Sequence, residues 1–100
     1  MSHESDKAMQ NFYKERASRE MARLEFVVTE LDLATIFCEM ALSARSRGSA
    51  HRNVAYAREA FDLANEFLDK MDQTTETARN LRDKTRKLGL LLHELQRSAR

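Results

Sequence analysis

Proline is absent from the 100 residues, and glycine occurs only at Gly48 and Gly89. A chain with so few turn formers is poorly equipped for turn-rich β architecture or a proline-rich linker. Tryptophan is absent too, and Cys38 is the lone cysteine. One thiol makes no intramolecular disulfide, so a reducing cytoplasm is the expected setting. Long apolar runs are missing: Phe26-Val27-Val28 and Leu90-Leu91-Leu92 fall far short of the roughly 20 residues that cross a bilayer. No membrane partner is expected. The segment from Met1 to Lys7 lacks the basic-then-apolar plan of a signal peptide. Neither sign of charge prevails, because 17 Lys and Arg against 16 Asp and Glu leave +1. No global field therefore draws the chain to nucleic acid or membrane.

What is present is helix. Apolar residues at 42% and charged residues at 33% describe one small helical domain with a large charged surface. The clearest pattern is the seam Val54, Ala57, Phe61, Ala64, Leu68 and Met71. Its steps of three and four keep side chains on one helical face, and that face must press against other helices. The spacing predicts a helix over 50–71. A first helix is expected over 5–46, and its centre is apolar on two sides. Leu24, Val27, Val28, Leu31, Ala34 and Cys38 form one side; Leu33, Ile36, Phe37 and Met40 form another. Two such faces require two neighbours, from the same chain or from a dimer. Between these helices, Gly48 is expected to end the first in a left-handed conformation, and Ser49 to cap the second.

The stretch Asp72-Gln73-Thr74-Thr75-Glu76-Thr77 leaves two architectures open. Threonines are poor helix formers, each about half a kcal/mol worse than alanine. Asp72 or Thr74 can cap a third helix over 75–97, with Leu81, Leu88, Leu92 and Leu95 inward. Thr75 and Ala78 also continue the preceding seam, so one long second helix, dimerising into a four-helix bundle, is the alternative. Charge favours the turn. Residues 59–78 hold six acids and Lys70, whereas residues 79–100 hold seven basic groups and two acids. A fold-back near residue 74 sets Arg79 near Asp69, Arg82 near Glu66 and Arg86 near Asp62. Exposed pairs contribute only about 0.3–0.5 kcal/mol each, but several act together. Gly89, inside the third helix, costs about 1 kcal/mol relative to alanine and permits a close crossing.

Residues with chemical potential read as structural ones. Neither His51 nor His93 has a second histidine or the cysteine at ligand spacing, so no metal or cofactor is expected. His51 opens its helix somewhat as in histidine phosphotransfer domains. The lysine and glycine that follow in those domains are here Val54 and Ala55. Cys38, between Phe37 and Glu39, is a small core residue without a base to make thiolate. Glu20, Glu25, Glu30 and Glu39 alternate with arginines as a solvated face does. No nucleophile–base pair can be assembled, so the expectation is a protein that is not an enzyme and takes no small-molecule substrate.

Two features point to partners. Ala57, Phe61 and Ala64 resemble the small–aromatic–small spacing of the second helix of tetratricopeptide repeats. The positions that carry the rest of that pattern hold Ala41, Ala44, Arg45, Gly48 and Asp69 instead, so no binding residues carry over. Arg45, Arg47, Arg52 and Arg58 cluster around the first turn and supply the alternative reading, contact with nucleic-acid phosphates. No aromatic interleaves with them in a stacking platform.

Residues 1–20 read as a helical N-terminal extension to a bundle domain over 21–97. Their stripe of Met9, Phe12, Tyr13 and Ala17 has nothing within a three-helix core to cover it. The expectation is an all-α antiparallel hairpin extended to a three-helix bundle. It would be a non-enzymatic interaction or scaffold module that engages a protein partner, a homodimer first. Met9, Phe12 and Tyr13 would be its anchors, with Leu90 and Leu91 as a second patch.

Overall fold

The computed structural model describes residues 3–98, with side chains from Asp6 onward. Three helices follow one another: α1 over His3–Leu42, α2 over Arg47–Leu68 and α3 over Glu76–Ser98. No strand occurs among the described residues. The fold is the expected all-α three-helix arrangement, and the continuous long second helix is excluded by the break after Leu68. The molecule is a rod with extents of 69 × 22 × 15 Å. At 1.5 Å per residue α1 alone accounts for about 60 Å of that length.

The core forms where the two predicted seams meet. Val27, Leu31, Ala34, Cys38 and Ala41 of α1 are buried against Val54, Ala57, Ala60, Ala64 and Leu68 of α2. Alternating steps of three and four on both helices produce this contact, and the alanines on α2 let the helix axes approach closely. Helix α3 adds Ala78, Leu81, Thr85, Leu88 and Leu92 from its own stripe. It packs less extensively on either helix than they pack on each other. The Thr85 hydroxyl, buried at the seam, donates to the Leu81 carbonyl. Asn53, also buried, donates its amide to the Ser49 carbonyl. Every buried side-chain polar atom among the described residues is satisfied in this way.

The first connection differs from expectation. Helix α1 stops at Leu42, and Ser46 is the cap of α2: its hydroxyl accepts the Ser49 N–H at 3.1 Å. Ser49 is thus the donor in a cap, three residues inside, rather than the cap itself. Gly48 lies in the first turn of α2, and no glycine has a positive φ. The reason is local. Ser46, with extended backbone angles, already satisfies a free N–H group, so no left-handed residue is needed.

The second connection is built from its own side chains. The Asp72 carboxylate accepts from both the N–H and the hydroxyl of Thr74. Those hydrogen bonds, aided by the positive charge of Arg16, hold its carboxyl below the ordinary aspartate range. The Gln73 amide donates to the carbonyls of Leu68 and Met71, tying off the end of α2. Thr75 caps α3 by accepting the Ala78 N–H at 3.1 Å, which replaces the expected caps at Asp72 or Thr74. Arg82 pairs with Asp69 and also donates to Gln73. The fold-back is therefore centred about one residue later than the charge pattern suggested. Arg86 and Lys87 find Asp83 on their own helix, and Lys84 reaches Asp32 on α1. The expected pairings of Arg79 with Asp69, Arg82 with Glu66 and Arg86 with Asp62 do not form: Asp69 takes Arg82, and Arg86 takes Asp83. Cap chemistry at Thr75 fixes the register more tightly than exposed ion pairs can.

Gly89 of α3 lies against Phe61 of α2: a β-carbon placed there would meet the Phe61 ring at 3.0 Å. Gly89→Leu should therefore cost about 1–3 kcal/mol through overpacking. Leu31→Ala, at a fully buried position, should cost about 2–5 kcal/mol. Urea unfolding followed by circular dichroism checks both.

Candidate protein-interaction surface

Helix α1 is nearly twice as long as its neighbours, and the difference projects from one end of the bundle. Every residue from Asp6 to Ala22 is exposed. Met9, Phe12 and Tyr13 are 57%, 54% and 58% exposed, values that leave most of each side chain open to a partner. The Phe12 and Tyr13 rings meet edge to face, their centroids 5.8 Å apart. Helical geometry puts Met9, Phe12 and Tyr13 on the same side of α1 as Val27, Leu31 and Ala34. The overhang stripe is thus the core stripe, continued beyond the helices that cover it.

A pocket of about 260 Å3 closes the bundle beneath this overhang, lined by Ala17, Glu20, Met21, Leu24, Met71 and Thr75, with Thr77 at its edge. Met21 is 56% exposed. Sequence reading passed over Met21, although the steps Ala17, Met21, Leu24 carry the stripe from the overhang into the bundle. Arg16 and Glu20 form an exposed pair one turn apart on the same side.

Leu90 and Leu91, the second expected patch, are both exposed on α3. They are not near the overhang. Lys84 reaches Asp32 of α1, which is 19 helical residues, or about 28 Å, beyond Tyr13.

A different surface appears on the side of the hairpin away from α3. There Phe26 stacks on Phe67 and Phe37 on Tyr56, with centroids 4.4 and 5.3 Å apart. Between the two ring pairs runs a groove lined by Glu30, Leu33, Phe37, Tyr56, Glu59 and Leu63. Ile36 and Met40 extend it, each about half exposed. The second apolar face of α1, expected to be covered, is left open because α3 packs on the opposite flank. Tyr56 and Leu63 escaped the sequence reading, although their spacing of seven residues marks a secondary stripe on α2.

The turn arginines are scattered. Arg58 pairs with Asp62 and lies over the Phe61 ring. Arg45 is in the connection, while Arg47 and Arg52 sit on successive turns of α2, facing different ways. A surface hollow of about 460 Å3, lined by Phe61, Asn65, Arg82, Asp83, Arg86 and Gly89, is an open trough between α2 and α3. Among the described residues no group of three or more His, Cys, Asp or Glu side chains is placed to hold a metal. Nor, among those residues, is any helix long and apolar enough to cross a membrane.

Comparisons with protein-family models, with curated proteins and with solved structures return no match.

Cys38 is fully buried, and burial, followed by the neighbouring Glu39 charge, pushes its thiol pKa up. Thiolate is the reactive form. A neutral thiol-specific reagent should therefore label Cys38 at least a hundredfold more slowly in the native protein than in urea, as read by mass spectrometry.

Proposed function

We propose that this chain is a non-enzymatic helical interaction module that self-associates through the overhang of α1. One observation carries the reading: the core stripe of α1 continues for about three turns past the helices that bury it. Solvent-exposed Met, Phe and Tyr side chains at helical spacing are what an amphipathic helix offers to another helix. Burying them stabilises a complex by ~25 cal/mol per Å2 of apolar area. The lone thiol, buried and unreactive, suits a cytoplasmic setting. Binding of nucleic acid by Arg45, Arg47, Arg52 and Arg58 has less support, since Arg58 is engaged by Asp62 and Phe61 and the others diverge.

The test is the full chain carrying Phe12→Ala and Tyr13→Ala. Removing two aromatic anchors typically costs 2 kcal/mol or more. Light scattering coupled to size exclusion should then show a dimer for the native chain and a monomer for the variant at the same concentration. Circular dichroism should be unchanged, because neither ring touches the core. Unaltered mass for both proteins would refute the reading.

A further inference from the structure

The groove on the flank of the hairpin away from α3 has the dimensions of a helix. On α1, Phe26, Glu30, Leu33, Phe37 and Met40 follow one another by steps of four and three. On α2, Tyr56, Ala60, Leu63 and Phe67 do the same. Such steps hold each set on one side of its helix. The ring pairs Phe26–Phe67 and Phe37–Tyr56 join the two helices at either end. On each helix those rings are 11 residues apart, which is about 16 Å or three helical turns. Leu33 and Leu63 between them remain 38% and 36% exposed. Nothing in the chain itself fills the space, because α3 packs on the opposite flank and the overhang projects past the end.

We propose that this groove receives an amphipathic helix of another protein, one whose apolar stripe is flanked by basic side chains that meet Glu30 and Glu59. Apolar anchors at helical spacing are what a groove between two helices takes. Charge decides which helix. Residues 24–42 and 53–69, which form the two walls, hold four acids each against the single cation Arg58. Asp32, Asp62, Glu66 and Asp69 are paired, with Lys84, Arg58, Lys70 and Arg82. Glu30 and Glu59, the carboxylates that line the groove, are in no ion pair among the described residues. Glu30 is half-buried among apolar neighbours, where water screens its charge less and a cation is attracted more strongly. The same two carboxylates repel a nucleic-acid backbone. Self-association through the overhang leaves this flank free, so the two proposals stand or fall separately.

Fluorescence anisotropy on the full chain provides the test. The probe is a labelled synthetic helix of about 16 residues, enough to span the groove, with leucines at steps of three and four and lysines on both flanks. Its counterpart carries glutamates in place of the lysines. The native chain should bind the lysine form about tenfold more tightly or better, a preference that shrinks as salt screens the charges. Glu30→Lys together with Glu59→Lys should invert the preference, which a loss of folding could not do. Leu33→Ala together with Leu63→Ala should weaken binding of the lysine form about tenfold, with circular dichroism unchanged. Equal binding of the two peptides, binding of neither, or a preference that survives the charge reversal would overturn the proposal. So would tighter binding of a peptide of residues 6–20 of this chain, lost in the Leu33→Ala, Leu63→Ala variant, since the occupant would then be a second copy.

Discussion

The close approach of α1 to α2 holds this molecule together. Val27, Leu31, Ala34 and Cys38 on one helix meet Ala57, Ala60, Ala64 and Leu68 on the other, nearly all of them out of reach of water. Alanine has no side-chain entropy to lose on burial, so ordering three of them costs little. Their small size brings in the larger side chains of α1, and dispersion contacts across the seam multiply. A hairpin of 22-residue partners with so narrow a joint nevertheless buries modest area. Helix α3 supplies the rest, with Leu81, Leu88 and Leu92 lying over the edge of the seam. Because α3 sits on one flank, the other flank keeps its apolar groove, and the free end of α1 keeps its stripe.

The seam also decides which charges matter. Ion pairs on this protein are exposed and mostly local, as in Arg16–Glu20, Arg58–Asp62 and Lys70–Glu66. Pairs of that kind contribute tenths of a kcal/mol. Among the described residues two pairs cross between elements, Arg82 with Asp69 at the C-terminal cap of α2 and Lys84 with Asp32. They tie the start of α3 to the end of α2 and to α1. Their value is selection: with α3 reversed, the basic block would lie beside other groups.

Which parts of this were legible in the sequence follows from the range of the interactions concerned. The seam of α2 was readable because helical periodicity is a local property with one geometric meaning: Val54, Ala57, Ala64 and Leu68 are buried as the spacing implies, while Phe61 and Met71 are partly buried beside them. The turn after Leu68 was readable only as a preference. Its decisive contacts, Gln73 reaching back to Leu68 and forward to Arg82, join residues that spacing alone does not relate. Gly48 misled because glycine at a helix junction is usually a left-handed terminator. Here Ser46, two residues earlier, had already started the next helix. The two faces of α1 were visible in the sequence, but not which of them α3 would cover. That depends on the side from which α3 returns, a choice made by the turn. Met9, Phe12 and Tyr13 were legible as an apolar stripe. The pocket at Met21, further along α1, appears only once the turn brings Met71 beneath that helix.

Two uncovered apolar surfaces on so small a chain raise the question of which one a second copy would prefer, and charge distinguishes them. The groove between α1 and α2 is flanked by Glu30 and Glu59. Packing two such grooves face to face would gather four carboxylates at the edge of an apolar contact, where screening by water is reduced and like charges repel more strongly. The overhang carries Arg16 beside Glu20, one cation and one carboxylate, so a second copy brings no excess of like charge there. Apolar area alone does not choose between the surfaces. The arrangement of these four charged side chains does, and it favours the free end of α1 for the proposed self-association.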